Sequence, residues 1–328
     1  MTMFSVIIAT RNRPSLFRDA LASVSAQTCK SMEIIVVDDG SDEERLPRYQ
    51  EVISAVSRPV RFYSLERRLN GHGQSYAINY GAAQTKAEYL CFLDDDDLWT
   101  DAEYLARTDR VISDSTVQPD LLFSNQAAFL LDQRQPGPIW IEDLAEILPR
   151  SGRSADKSGV YRVTVKELLR GHGFCHLNTT IVRRDLFDSI GGMDEEIRWE
   201  CDHDLYLRLL DRAPTMLYSP LVVARHNIPD PVKKASMTTA LSEFERRVIQ
   251  LRVFDNVVTL ATHPAIRAYG RRHKGYTLKR IAELLVAHKE YSSGLYYARQ
   301  ALGAGPTFKW AVYTMLVALA RLKQMLWR

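Results

Sequence analysis

Short apolar, β-branched runs alternate with stretches of helical spacing through the first hundred residues. FSVIIAT (4–10), EIIVVDDGS (33–41), VRFYSL (60–65) and EYLCFLDDDD (88–97) each read as a strand that stops at polar residues. Between them, SLFRDALASVSAQ (15–27) places apolar residues at 16, 17, 20, 21 and 24, the spacing of one helix face. Pro14 and Ser15 suit the start of that helix. GQSYAINYGAAQT (73–85) predicts a second helix after a glycine-rich turn. Strand and helix in alternation predict an α/β domain with a largely parallel sheet. Ligands bind beyond the carboxyl ends of such strands. Thr10-Arg11-Asn12, Asp38-Asp39 and Asp94 to Asp97 are therefore expected on one rim.

Residues 100–165 carry weaker patterns. DLLFSNQAAFLLD (120–132) predicts a strand on the far side of the sheet, while QRQPGPIW and PRSGRSADKSG predict loops. NTTIVRRDLFDSIGGMDE (178–195) reads as strand, short helix and Gly-Gly turn. CDHDLYLRLLDRA (201–213) predicts a helix with its acids at the start, and MLYSPLVVARHN (216–227) another strand. From about 238 the pattern is helical, with breaks near His263-Pro264 and Gly303–Pro306. The expected division is an α/β domain over 1–235 and a basic helical region over 236–328.

Composition changes this picture little. The chain has 328 residues, 46% hydrophobic and 25% charged, an ordinary globular balance. Cys29, Cys91, Cys175 and Cys201 show no CxxC spacing and are expected as reduced thiols. The first apolar run reads as a strand, not an export signal, and no run of about 18 apolar residues predicts a spanning helix. A cytoplasmic protein is expected, peripheral to the inner face of the plasma membrane if its tail meets lipid.

Charge does change it. From Arg267 to Arg328 there are twelve Lys and Arg against Glu283 and Glu290, a net of +10, so the first 266 residues carry −7. A basic tail on an acidic body points to a polyanionic partner, and no nucleic-acid motif accompanies it. FKWAVYTMLVALARLKQMLWR (308–328) sets apolar residues at 308, 312, 315, 316, 319, 322 and 326 on one helical face, flanked by Trp310, Trp327, Lys309, Arg321, Lys323 and Arg328. An anionic membrane surface and a second subunit of a homo-oligomer both fit that face.

Four adjacent aspartates at a strand end repel one another and need a reason. A divalent cation is one, since Mg²⁺ and Mn²⁺ favour carboxylate oxygens, and an extended chain would send Asp94 and Asp96 to one side. An acidic helix cap, with Asp97 before LWTDAEYLARTD, is the other. An EF-hand pattern is missing. His172 and His176 of GHGFCHLN stand four apart, but their glycines favour a loop over a shared metal.

FSVIIATRNRP, EIIVVDDGSDE, NGHGQSYAINYGAA, YLCFLDDDDLW, IGGMDEEIRWECDHDLYLRLL and VVARHN occur in an order and spacing that resembles the family 2 inverting glycosyltransferases of the GT-A fold, over about residues 3–228. The resemblance implies a GT-A, Rossmann-like sheet and transfer of a sugar from a nucleotide-diphosphate sugar (UDP-, GDP- or dTDP-linked) to a hydroxyl of a glycan or lipid-linked acceptor. It implies a nucleotide site at Thr10, Arg11, Asp38, Asp39, Asn70, Asp94 and Asp95, and Mn²⁺ or Mg²⁺ on Asp96 with His226. It implies an acceptor side at Gly191, Gly192, Met193 and Glu200. Aligning on Asp-Leu-x-Leu-Arg puts Asp202 at the family's catalytic-base position; Cys201 stands where the family usually has glutamate, so Glu200 stays as the alternative. The family's Ala-Arg-Asn is Ala77-Ile78-Asn79 here, and Arg67 or Arg68 is expected to replace the lost arginine. The rival readings are a sugar nucleotidyltransferase, which should carry a glycine-rich, lysine-bearing first loop, and a non-catalytic sugar-nucleotide or glycan-binding module.

Overall fold

The computed structural model describes residues 2–230, 232 and 237–326; the expected boundary at 235/236 lies outside them, as do Trp327 and Arg328. The chain divides into two compact units, Met1–Asp230 and Pro231–Arg328.

In the first unit the strands are β1 (Phe4–Thr10), β2 (Met32–Asp38), β3 (Val60–Ser64), β4 (Tyr89–Phe92), β5 (Leu98–Trp99), β6 (Leu121–Leu130), β7 (Gln133–Arg134), β8 (Tyr161–Val163), β9 (Thr180–Arg183) and β10 (Met216–Asn227). They make one mixed sheet in the order β3-β2-β1-β4-β9-β6-β10-β5, with β7 paired to β6 and β8 to β10. β3, β2, β1 and β4 run parallel, as do β6 and β10, while β9 is antiparallel to both its neighbours. β1, β2 and β4 are buried along almost their whole length. That explains continuous runs such as IIVV where an exposed sheet would alternate.

The helices are α1 (Pro14–Ser25), α2 (Leu46–Ser54), α3 (Gln74–Ala83), α4 (Tyr104–Asp114), α5 (Leu144–Arg150), α6 (Val165–Leu168), α7 (Arg184–Ser189) and α8 (Cys201–Arg212). α1 buries Phe17, Ala20, Leu21 and Val24 in the core that holds Phe4, Val6 and Ile8 of β1, and leaves Leu16 half exposed. α3 lies close enough to the sheet that a Cβ on Gly81 would stand 2.8 Å from Ile7 Cγ2. Residues 100–165 hold more structure than their pattern suggests. α5 is masked in the sequence by Pro149, which a short helix tolerates in its last turn.

The register builds the rim. β1 pairs Thr10 with Asp38, and β4 pairs Phe92 with Ile7, so the polar residues after three strands emerge side by side.

The second unit contains α9 (Met237–Ala240), α10 (Glu243–Leu260), α11 (Pro264–Ala287), α12 (Tyr291–Ala304) and α13 (Phe308–Leu326). Its breaks include the two expected and a third at Lys289, in the left-handed region at φ 64°. Leu278, Ala282, Ala298, Ala301 and Trp310 form its core. No helix among the described residues is long and apolar enough to cross a membrane. The four cysteines are unpaired and buried.

Candidate active site

The four aspartates do not continue as an extended strand. Asp97 N donates to Asp94 O at 3.2 Å, so the chain turns and the carboxylates point to different partners. Asp95 accepts from Thr10 Oγ1 at 2.7 Å and from Arg13 Nη1 at 3.3 Å. Asp96 accepts from Arg13 Nη1 at 3.1 Å. Asp94 accepts from Gln74 Nε2, at the start of α3, at 2.6 Å. Asp97 is buried and accepts from His226 Nδ1 at 2.7 Å, Asn178 Nδ2 at 2.6 Å and Asn227 N at 2.6 Å. It caps no helix, since α4 begins only at Tyr104.

The supporting arginine is therefore Arg13, not Arg67 or Arg68. Arg67 pairs with Asp42 at 2.9 Å, and the Arg68 carbonyl accepts from Arg11 Nη2. The side chain lost at Ile78 in the helix is replaced from the loop after β1, which the register brings next to the aspartate turn.

His176 enters the same space from the loop before β9. Its Nδ1 accepts from Asn178 N at 3.4 Å, which leaves the proton on Nε2. Nε2 lies 3.5 Å from Asp202 Oδ2 and 3.7 Å from Asp94 Oδ2. The histidine thus stands between the β4 turn and the start of α8. Trp140 packs edge-on against both His226 (4.9 Å between ring centres) and His176 (5.8 Å). A Cβ on Gly173 would meet Ile139 O at 2.6 Å, so a glycine is needed where the two loops touch. His172 is exposed and shares nothing with His176.

Burial first, and crowding of like charges second, set the electrostatics. Burial, reinforced by Asp97 and Asp96, raises the Asp94 carboxyl well above its usual range. Burial with Asp97 and Asp95 pushes Asp96 up to about 7, against the pull of Arg13. Against burial, the charge and hydrogen bond of Asp97 hold His226 protonated to about 9. Burial and the His226 charge lower His176 to about 4. The site therefore contains one imidazolium, one neutral imidazole and carboxyls that lack enough positive charge. Asp94, Asp96 and Asp97 each bring an oxygen within 4.8 Å of the others, and so do the ligand atoms of Asp97, His176 and His226.

At α8 the two carboxylates of the sequence alternative separate. Asp202 Oδ1 accepts from His203 N at 2.9 Å, and its other oxygen faces His176. Glu200, left-handed at φ 59°, turns to His203 Nδ1 at 3.2 Å, whose ring stacks on Phe174 at 4.4 Å. Asp204 is buried and pairs with Arg208 at 2.7 Å; Arg208 then donates to Ile190 O and Gly192 O. Asn79 accepts from Met193 N and donates to Met193 O. The Gly191-Gly192-Met193 turn is thus gripped from both sides, and a Cβ on Gly192 would stand 2.5 Å from Asn79 Oδ1.

Asp38 turns inward, with Ser41 N, Ser41 Oγ and Ser64 Oγ as donors. Asp39 accepts from His72 N at 2.7 Å and Gly73 N at 2.9 Å, and so fixes the loop 66–73. Arg11 donates to the carbonyls of Arg68 and Leu69, and Arg198 to those of Asn70, Gly71 and His72. Gly71 has φ +63°, and a Cβ there would stand 2.3 Å from Asp39 Oδ2. Gly71→Ala is expected to destabilise the fold by about 1–2 kcal/mol from the left-handed backbone alone. Urea unfolding checks this, and an unchanged midpoint would mean that the loop leaves the left-handed conformation without cost.

Residues 5–131 match the family described as Glycosyl transferase family 2. This N-terminal stretch of the chain therefore carries the pattern of that family. A protein named as an uncharacterized glycosyltransferase from Rickettsia typhi is 26% identical over 243 residues, 74% of this chain and 69% of the relative. Two longer Rickettsia relatives are matched over 36% of their length. Among solved structures, S. aureus TarS in complex with UDP-GlcNAc aligns with a TM-score of 0.67 at 18% identity, over 98% of this chain and 88% of that one. The mannosyltransferase PcManGT from Pyrobaculum calidifontis, in complex with GDP-Man and Mn²⁺, aligns with a TM-score of 0.59 at 16% identity, over 99% and 87%. The fold is the GT-A type.

Sequence reasoning missed Arg13, Gln74, Trp140, Asn178 and Arg198, and placed His176 only in a loop with His172. Arg13 stands two residues beyond Arg11 in the same loop, and HLN (176–178) follows glycines whose pattern predicts only a loop. Trp140 gave no signal, because its place depends on a loop with no periodicity.

Proposed function

We propose that this glycosyltransferase moves a sugar from a nucleotide-diphosphate sugar to an acceptor hydroxyl with inversion, and that Asp202 takes the hydroxyl proton. The observation that carries this reading is the approach of Asp202 to Asp94 across a single histidine, with 3.5 and 3.7 Å contacts. A base must stand within reach of a reacting centre held by other groups, and this places a carboxylate from α8 beside the β4 turn. Glu200, engaged with His203, is the less apt base. The donors bound by TarS and PcManGT, UDP-GlcNAc and GDP-Man, support a nucleotide-sugar donor.

The donor set suits a hard cation. Asp94 and Asp96 would offer carboxylate oxygens, their carboxyls raised by burial and then by neighbouring aspartates, and His226 would offer the ring nitrogen beyond its Asp97 bond once that nitrogen gives up its proton. Asp97, with three protein donors already, serves as the anchor of His226 and not as a ligand. Mn²⁺ or Mg²⁺ held there supplies positive charge that stabilises a departing diphosphate. Arg13 is the protein's own counter-charge to Asp95 and Asp96. His176, neutral with its Nε2 proton toward Asp202, orients the base without competing for the acceptor's proton. Arg11, Asp39 and the Asn70 loop form the nucleotide side, and Gly191, Gly192 and Met193 the acceptor side. The acceptor class that fits is a sugar hydroxyl on a growing surface or lipid-linked glycan.

Thermal shift with UDP, GDP and dTDP, each with Mn²⁺, tests the donor site. The matching diphosphate at a hundred times its Kd should add about 2.7 kcal/mol of stability. Asp96 must lose its proton to take the cation, and its carboxyl ionises only near pH 7. Below that pH the proton wins, so the Mn²⁺-dependent shift should grow from pH 6 to pH 8. A shift unchanged by EDTA, by pH and by Asp96→Asn would overturn the metal assignment.

A further inference from the structure

α13 turns an unexpected face to its own unit. Trp310, Thr314 and Val317 are buried, with Trp310 Nε1 donating to Ala298 O at 2.9 Å and its ring stacked on Tyr313 at 4.5 Å. The flanking role expected for Trp310 is therefore corrected: the indole is part of the core. The apolar stripe seen in the sequence faces the other way. Phe308 is 87% exposed, Met315 56%, Leu316 55%, Leu319 55%, Leu322 56% and Leu326 84%. Met315 to Leu326 recur three and four apart, and with Phe308 two turns before them they line about 27 Å of helix. Single exposed leucines are ordinary, whereas a continuous stripe marks a surface that is covered in use.

The charges select what covers it. No Asp or Glu occurs after Glu290, and the exposed Lys309 and Lys323 lie on one flank of the stripe. A second copy packed on this face would set those lysines against like charges with no acid to pair them. Lipid phosphates offer the complementary charge and the apolar interior together. The helix is not apolar enough to span a bilayer but has the build of one that lies in its surface.

We propose that α13 docks on an anionic lipid surface, with Phe308, Met315, Leu316, Leu319, Leu322 and Leu326 in the acyl boundary and Lys309 and Lys323 at the phosphates. The proposal is independent of the catalytic reading, because binding is measured without turnover.

The test is co-sedimentation of the full chain with vesicles of phosphatidylcholine alone or with about 30% phosphatidylglycerol. The wild type should pellet with the anionic vesicles, and about tenfold less with the neutral ones or at about 1 M salt, where screening acts within a few ångströms. The triple change Leu316→Ser, Leu319→Ser, Leu322→Ser should cut binding at least about tenfold. The pair Lys309→Glu, Lys323→Glu should do the same while keeping the stripe. All five positions are outside the core, so circular-dichroism melts of both variants should match the wild type. The proposal fails if the wild type stays in the supernatant, or if the serine variant pellets unchanged. It also fails if the chain is a dimer that the serine substitutions make monomeric without any effect of lipid.

Discussion

Asp202→Asn is expected to lower kcat by roughly 10²–10⁴-fold, the usual contribution of a positioned general base. The substitution keeps the size of the side chain and its acceptor for His203 N, but removes the group that can take a proton. Donor affinity should stay within about threefold, because no part of the nucleotide side rests on Asp202. Glu200→Gln should cost far less, since Glu200 is engaged by His203 at 3.2 Å while Asp202 faces the aspartate turn through His176. Steady-state kinetics with the matching donor, together with nucleotide binding by calorimetry, distinguish the two. If Glu200→Gln abolished turnover and Asp202→Asn preserved it, the roles would have to be exchanged.

The second large effect concerns stability. Asp97→Ala should destabilise the first unit by about 3–5 kcal/mol, because it leaves the largely buried His226 cation and the Asn227 N–H without their acceptor and strips Asn178 Nδ2 of one of its two. At the size of this unit that is a fall in Tm of roughly 10 °C. The sign with pH follows from the raised histidine. His226 holds its proton to about 9 in the fold against 6.5 when unfolded. Its pairing with Asp97 therefore contributes fully below pH 6.5 and is lost as pH rises through about 9. Asp97, held below its usual range against burial by His226, adds the acid limit: its share is lost as pH falls through its lowered folded value. The gap in Tm between wild type and Asp97→Ala should thus be widest near pH 5–6 and narrow toward pH 9. Melts in EDTA measure it without interference from metal. A constant gap across that range would mean that His226 is not the group Asp97 stabilises.

Much of the first unit is legible in the sequence. Buried strands write themselves as unbroken aliphatic runs, and α1 and α8 as one-sided spacing, because the burial that drives them is local to each segment. The rim was legible for the same reason: Thr10, Asp38 and Asp94 end three such runs, and parallel pairing brings strand ends together. The region 100–165 was not, since β8 and α5 are short and held by contacts distant in sequence.

What the chain alone determined is the alternation that makes a GT-A sheet and the gathering of acids at its edge. Both follow from hydrophobic period and from where each run stops. Only the tertiary structure decided how those acids divide: Asp97 to His226, Asp95 and Asp96 to Arg13, Asp94 to Gln74, and Asp202 to His176. It also decided which side of α13 is core. Such choices rest on one turn, one loop crossing and one helix rotation. Each is set by partners that stand far off in the chain and leave no periodic trace in it.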